Sequence, residues 1–146
     1  MSQALAMFKS IGPEQFSQFA CNIAPYFHTI APQLISLEPC RAEAKVTFRH
    51  EITNHLGTIH AIALCNIAEF VGGLMTDVSV PDQARWIPKG MTVEYLAKAK
   101  TDIHAIADGH QIDWSTPGDK IVGIDVFDTA GTKVFTARIT MNVKFS

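Results

Sequence analysis

Residues 59–75, from Ile59 through Ala61, Cys65, Asn66 and Glu69 to Met75, carry apolar side chains on nearly every side. At about 1.5 Å of rise per residue the segment makes a helix roughly 25 Å long. A helix at a protein surface needs a polar face, whereas one that is apolar all round must be wrapped by other structure or lie in a membrane. The chain has no run of about 18 consecutive apolar residues, so no membrane span is expected. The segment therefore reads as a core helix that the rest of the chain encloses. Thr58 is the expected N-cap. Past the first turn its internal polar groups are only Asn66 and Glu69.

The remainder supplies the wrapping. From Leu34 to Phe48 the pattern turns to strand, with Ala42, Ala44, Val46 and Phe48 alternating against Glu43, Lys45, Thr47 and Arg49. A period of two implies a sheet with one covered face. Residues 50–58 are mostly polar and read as a loop. Four more strands are expected at 91–99, 101–108, 120–127 and 133–145, with a hairpin connection at Asp128–Thr132. Ahead of the first strand, residues 2–10 fit a short helix. Gly12-Pro13-Glu14 looks like a second helix start, which Pro25 stops. These elements give an α+β fold: a curved antiparallel sheet around one long helix, in a single domain over 31–146, preceded by an N-terminal helical segment over 1–30.

Composition narrows the function classes. The chain has 146 residues, 12 basic against 14 acidic, and 18% charged residues. The near-neutral balance argues against nucleic acid as a partner. The charged fraction is low against the usual value of about 25%, which fits surface hidden between copies. No secretory signal is expected at the N-terminus. Three scattered cysteines, Cys21, Cys40 and Cys65, read as reduced thiols in a cytoplasmic protein. His50, His55 and His60 recur at five-residue steps, not the four of two ligands on a helix, so no metal is expected.

Glu69 is the anomalous residue. A carboxylate in an otherwise apolar helix is expensive to bury unpaired, and such a group is a candidate general base or nucleophile. The start of the same helix offers free N–H groups and the positive end of its dipole, which would stabilise the oxyanion formed from a substrate carbonyl. Ala61 and Glu69 stand eight residues apart, about 12 Å along the axis, so one helix cannot present both to one substrate. Two antiparallel copies can, and the geometry calls for a two-fold dimer with two equivalent sites. Asn54 also suits a turn or cap.

The string Asn54-x-x-Gly57-x-x-His60-Ala61, followed by Glu69, resembles the hotdog-fold acyl-CoA thioesterases, including the phenylacetate-pathway and 4-hydroxybenzoyl-CoA branches. Residues 91–100 and the last hairpin are similar too, so the resemblance covers about residues 30–145. It implies a helix enclosed by a five- or six-stranded antiparallel sheet, homodimers or dimers of dimers, and sites at the subunit interface. It implies hydrolysis of an acyl-CoA, with Glu69 as base or nucleophile, the Ala61 N–H on the carbonyl, Asn54 on the thioester or water, and His60 in support. Gly57, Thr58, Ile62 and Asn66 would contact substrate, and Arg85, Lys89, Lys98 and Lys100 would meet the CoA phosphates. Coenzyme A enters only as part of the substrate, with no separate cofactor. Ala61-Ile62 departs from the Gly-Gly pair usual in these enzymes, and a hotdog branch with no assigned function has similar Ala-containing helices. Two other readings stand beside hydrolysis: a non-hydrolytic acyl binder, and a 3-hydroxyacyl thioester dehydratase that would use His60.

Overall fold

In a computed structural model describing residues 1–146, helix α1 (Gln3–Ile23) and a short turn (Pro25–Thr29) precede strands β1 (Gln33–Glu38) and β2 (Arg41–Val46). Helix α2 (Ala61–Ser79) follows, and then β3 (Arg85–Tyr95), β4 (Ile103–Asp108), β5 (Gly118–Asp128) and β6 (Lys133–Lys144). The strands form one antiparallel sheet in the order β1-β2-β4-β5-β6-β3.

The sheet curls around α2 because its inner face is small in the middle. Ala42 pairs with Ala107 and Ala44 with Ala105, all four fully buried, which lets the helix approach closely. Ile67, Ala68, Phe70, Val71 and Met75 of α2 fill the space between this floor and the inward residues of β5 and β6. A Cβ on Gly72 would come within 3.2 Å of both Ile124 and Ile139, so glycine keeps the helix against β5 and β6. By length and composition alone α2 could cross a membrane, but 67% of its most apolar stretch is buried inside the domain.

The structure corrects several boundaries. Residues 34–48 form two strands, not one. They fold back at Pro39-Cys40, where Cys40 takes a left-handed φ of 71°. That backbone is held from outside: Ser79 Oγ accepts the Cys40 N–H at 2.8 Å, and the Cys40 carbonyl accepts the Gly109 N–H at 2.8 Å. The core helix begins at Ala61, extends to Ser79, and is capped by His60 rather than Thr58. Residues 59 and 60 stay outside it: Ile59 bridges Thr53 in strand fashion, His60 is extended (φ −62°, ψ 138°), and their N–H groups donate to Ala99 and Ile52 carbonyls at 2.8 Å each. β3 begins at Arg85 rather than 91, carries a bulge between Pro88 and Gly90, and includes Trp86, expected in a loop.

The two sheet edges differ. α1 runs as two helical pieces joined at Gly12 (φ 85°), the restart at Pro13 falling where the sequence indicates. Its Ser17 hydroxyl donates to the Pro13 carbonyl at 2.7 Å and accepts the Leu34 N–H of edge strand β1 at 2.8 Å. The opposite edge strand, β3, pairs with β6 on one side and has no strand neighbour in the chain on the other. Pro88 is tolerated there because an edge strand can spare an N–H.

Candidate functional site

The approach to α2 is a tight loop that the Asn54 side chain organises. Its Oδ1 accepts N–H bonds from Leu56 at 2.9 Å and Thr58 at 3.2 Å, while its Nδ2 donates to the Thr58 hydroxyl at 3.0 Å. Gly57 turns the chain with φ 75°. Asn54 thus acts as the turn residue its type allows, with both polar atoms engaged inside the loop.

Helix starts leave four N–H groups without intrahelical partners. Here three are taken: His60 donates to the Ile52 carbonyl at 2.8 Å, Ile62 to His60 Nδ1 at 3.0 Å and Ala63 to the His60 carbonyl at 2.9 Å. The Ala61 N–H has no acceptor in the chain. It borders a cavity of about 300 Å³ that Asn54, Thr58, Tyr95 and Lys98 also line. Asn54 and Ala61, the two ends of the string, therefore meet one of the four expected cations at this cavity, while Gly57 and His60 stay off it. His60, Ile62 and Asn66 face a different hollow of about 190 Å³, and Asn66 donates from Nδ2 to the Thr29 hydroxyl at 3.0 Å.

Glu69 lies two turns further along α2. In the single chain it is exposed, which corrects the expectation of a buried, desolvated acid. It borders a third, apolar groove of about 390 Å³ between α1, α2 and β3. The Ala61 amide and the Glu69 carboxylate thus open into separate cavities of one chain. Cys65 projects between them on the same helix. Burial pushes its thiol up, with an opposing pull from the hydrogen-bonding Tyr95 phenol. The charge on Cys65 in turn raises the Tyr95 phenol.

The remaining cations do not converge. Lys89 is paired with Asp119 at 2.8 Å, and that contact holds the Asp119 carboxyl below its usual range. Arg85 and Lys98 flank opposite ends of β3, whose ten steps from Arg85 to Tyr95 span about 33 Å at the usual strand rise. Arg85, Lys98 and Lys100 are exposed and unpaired in the chain. Sequence reasoning missed Tyr95 as a cavity residue and the strand position of Trp86, which it allowed at a pocket only from a loop. Tyr95 was detectable, because the period of two sets it on the inward face with Met91 and Val93. Trp86 was not, because the bulge at Lys89 reverses the alternation before it.

A family model described as "Domain of unknown function (DUF4442)" matches residues 12–143. A crystal structure described as "genomics APC5556" is 50% identical, covers 99% of this chain and 97% of its own, and superposes with a TM-score of 0.90. A thioesterase from Haemophilus influenzae (HI1161) is 15% identical over 82% of each chain, with a TM-score of 0.74. A thioesterase family protein from Silicibacter pomeroyi is 14% identical over 89% of this chain and 96% of that one, with a TM-score of 0.76. No curated protein sequence matches. The helix wrapped by a six-stranded antiparallel sheet is the hotdog fold of these thioesterases, and by its sequence the chain belongs to the DUF4442 domain family.

Proposed function

We propose that the chain hydrolyses acyl-CoA thioesters at a site that two copies complete between them. The observation that carries this reading is the separation of the free Ala61 N–H from Glu69, about 12 Å along α2 and in different cavities. Neither group suffices alone. Two copies paired through the open β3 edges lay their α2 helices side by side, so the amide of one faces the acid of the other. The thioesterases that share the fold support the chemistry.

In the proposed reaction the Ala61 N–H and the α2 dipole hold the thioester carbonyl. Glu69 of the facing copy takes a proton from water, and the hydroxide adds to the carbonyl carbon. The tetrahedral oxyanion collapses, the C–S bond breaks, and the proton on Glu69 passes to the departing sulfur. Direct attack by Glu69 would give an anhydride that water then opens, with the same products. His60 Nδ1 accepts the Ile62 N–H, so its part is to orient the first turn. Lys98, on the rim of the Ala61 cavity, is the cation best situated for a CoA phosphate.

The test is release of free thiol from short, medium, long and aryl acyl-CoAs. Glu69→Ala should lose more than about 100-fold in kcat, the usual worth of a general base. Unchanged turnover in that variant rejects the site. Binding without turnover by the natural protein would favour an acyl-binding role.

A further inference from the structure

We propose that the groove between α1, α2 and the start of β3 is the acyl pocket of the subunit that supplies Glu69, and that it admits an uncharged apolar acyl group tail first. The inference rests on the hydrolase reading and adds the substrate class and the element that selects it. At about 390 Å³ the groove lies at the small end of ligand pockets. Ten of its 14 lining residues are hydrophobic. Phe19 and Ala20 come from α1, Phe27 from the turn after it, and Leu74 from α2.

One wall is built with more care than a surface crevice requires. Trp86 donates from Nε1 to Asp77 at 2.9 Å. Its ring lies over Gly73, where a Cβ would stand 3.0 Å from the ring edge. Gly73 and Asp77 therefore hold the indole close against α2, one turn beyond Glu69. Across the groove Phe27 meets Phe70 edge-on, with ring centroids 5.1 Å apart. The aromatic walls are preformed, which lowers the ordering cost of binding.

Charge selects the occupant. The ionisable groups on the groove are Glu69 and Asp77, both acidic, and Asp77 is engaged by Trp86. No lysine, arginine or histidine lines it. A free fatty acid entering head first, or a CoA phosphate, would bring negative charge to Glu69 with no cation to answer it. A neutral thioester brings none. Once the C–S bond is cleaved the product becomes a carboxylate beside Glu69, and like-charge repulsion favours its release.

Ala20 is the residue to enlarge, since it is small and part of the α1 wall. The kcat/KM of butanoyl-, octanoyl-, dodecanoyl- and hexadecanoyl-CoA would be compared for the full-length natural protein and Ala20→Leu. Ala24→Leu serves as a second filler should the first lower the folded fraction. Affinity for a non-hydrolysable dodecanoyl thioether of CoA would be measured by calorimetry. Each filler should lower the dodecanoyl-to-butanoyl ratio at least about tenfold, the low end of what one methylene is worth in an apolar pocket, and weaken the thioether comparably. An unchanged ratio with normal hydrolysis overturns the pocket and leaves the hydrolase reading intact. Filler-sensitive thioether binding without turnover in the natural protein overturns hydrolysis and keeps the pocket. Absence of thioether binding by the natural protein overturns the pocket.

Discussion

At residue scale the chemistry of α2 depends on a five-residue loop. Asn54 spends its side chain on the loop's own N–H groups, and Gly57 supplies a left-handed turn that a side chain resists. Gly57→Ala should destabilise the protein by about 1 kcal/mol, from the strain of that backbone, and lower acyl-CoA turnover through misplacement of Ala61. Urea denaturation and the thiol assay check the two effects. Glu69 could be recognised from sequence as the odd residue in the helix, but its exposure could not. Periodicity says that a face is apolar and is silent on what covers it. The His60 cap was hidden for a similar reason: Thr58 is the better capping type, but strand-like hydrogen bonds at residues 59 and 60 hold the chain extended past it.

At the scale of elements, helix and strand identities were legible wherever alternation ran unbroken, as in β6, whose inward set Phe135, Ala137, Ile139, Met141 and Val143 is buried throughout. Reading failed at turns made without glycine or asparagine. Pro39-Cys40 carries no such signal, and its fold-back depends on Ser79 and Gly109, far away in sequence. A comparable distant tie joins the end of β2 to the start of β4. Asp102 Oδ1 accepts the Phe48 N–H at 2.7 Å, and Lys45 stands 3.5 Å from its other oxygen. These contacts, the Phe48 bond first, hold the Asp102 carboxyl below its ordinary 3.8. A depressed carboxylate contributes stability above the unfolded value and loses it as pH falls through the lower folded one. Asp102→Asn keeps an acceptor for Phe48 and removes the titration. Its melting temperature should therefore fall less steeply than that of the natural protein as pH drops below about 4. Part of the slope will remain, because Asp108, Asp113 and Asp119 are lowered as well. Thermal melts across acid pH are the check.

At the scale of the whole molecule the question is what lies against β3. The strand is eleven residues long, and its exposed side chains include Ile87, Met91 and Tyr95. Such an edge is a template for pairing with another chain. Light scattering of the natural protein should give twice the chain mass. The double variant Ile87→Lys, Met91→Lys should give the single-chain mass with an unchanged circular dichroism spectrum and at least about 100-fold lower turnover, since the site would be split. A single-chain mass for the natural protein would remove the shared site. The opposite border of the sheet has a different fate, because the Ser17 hydroxyl occupies the Leu34 N–H and α1 lies along β1. A bare apolar strand at one border and a helix-flanked one at the other give edge pairing a single preferred place, which favours closed couples of chains over open-ended stacking into fibres.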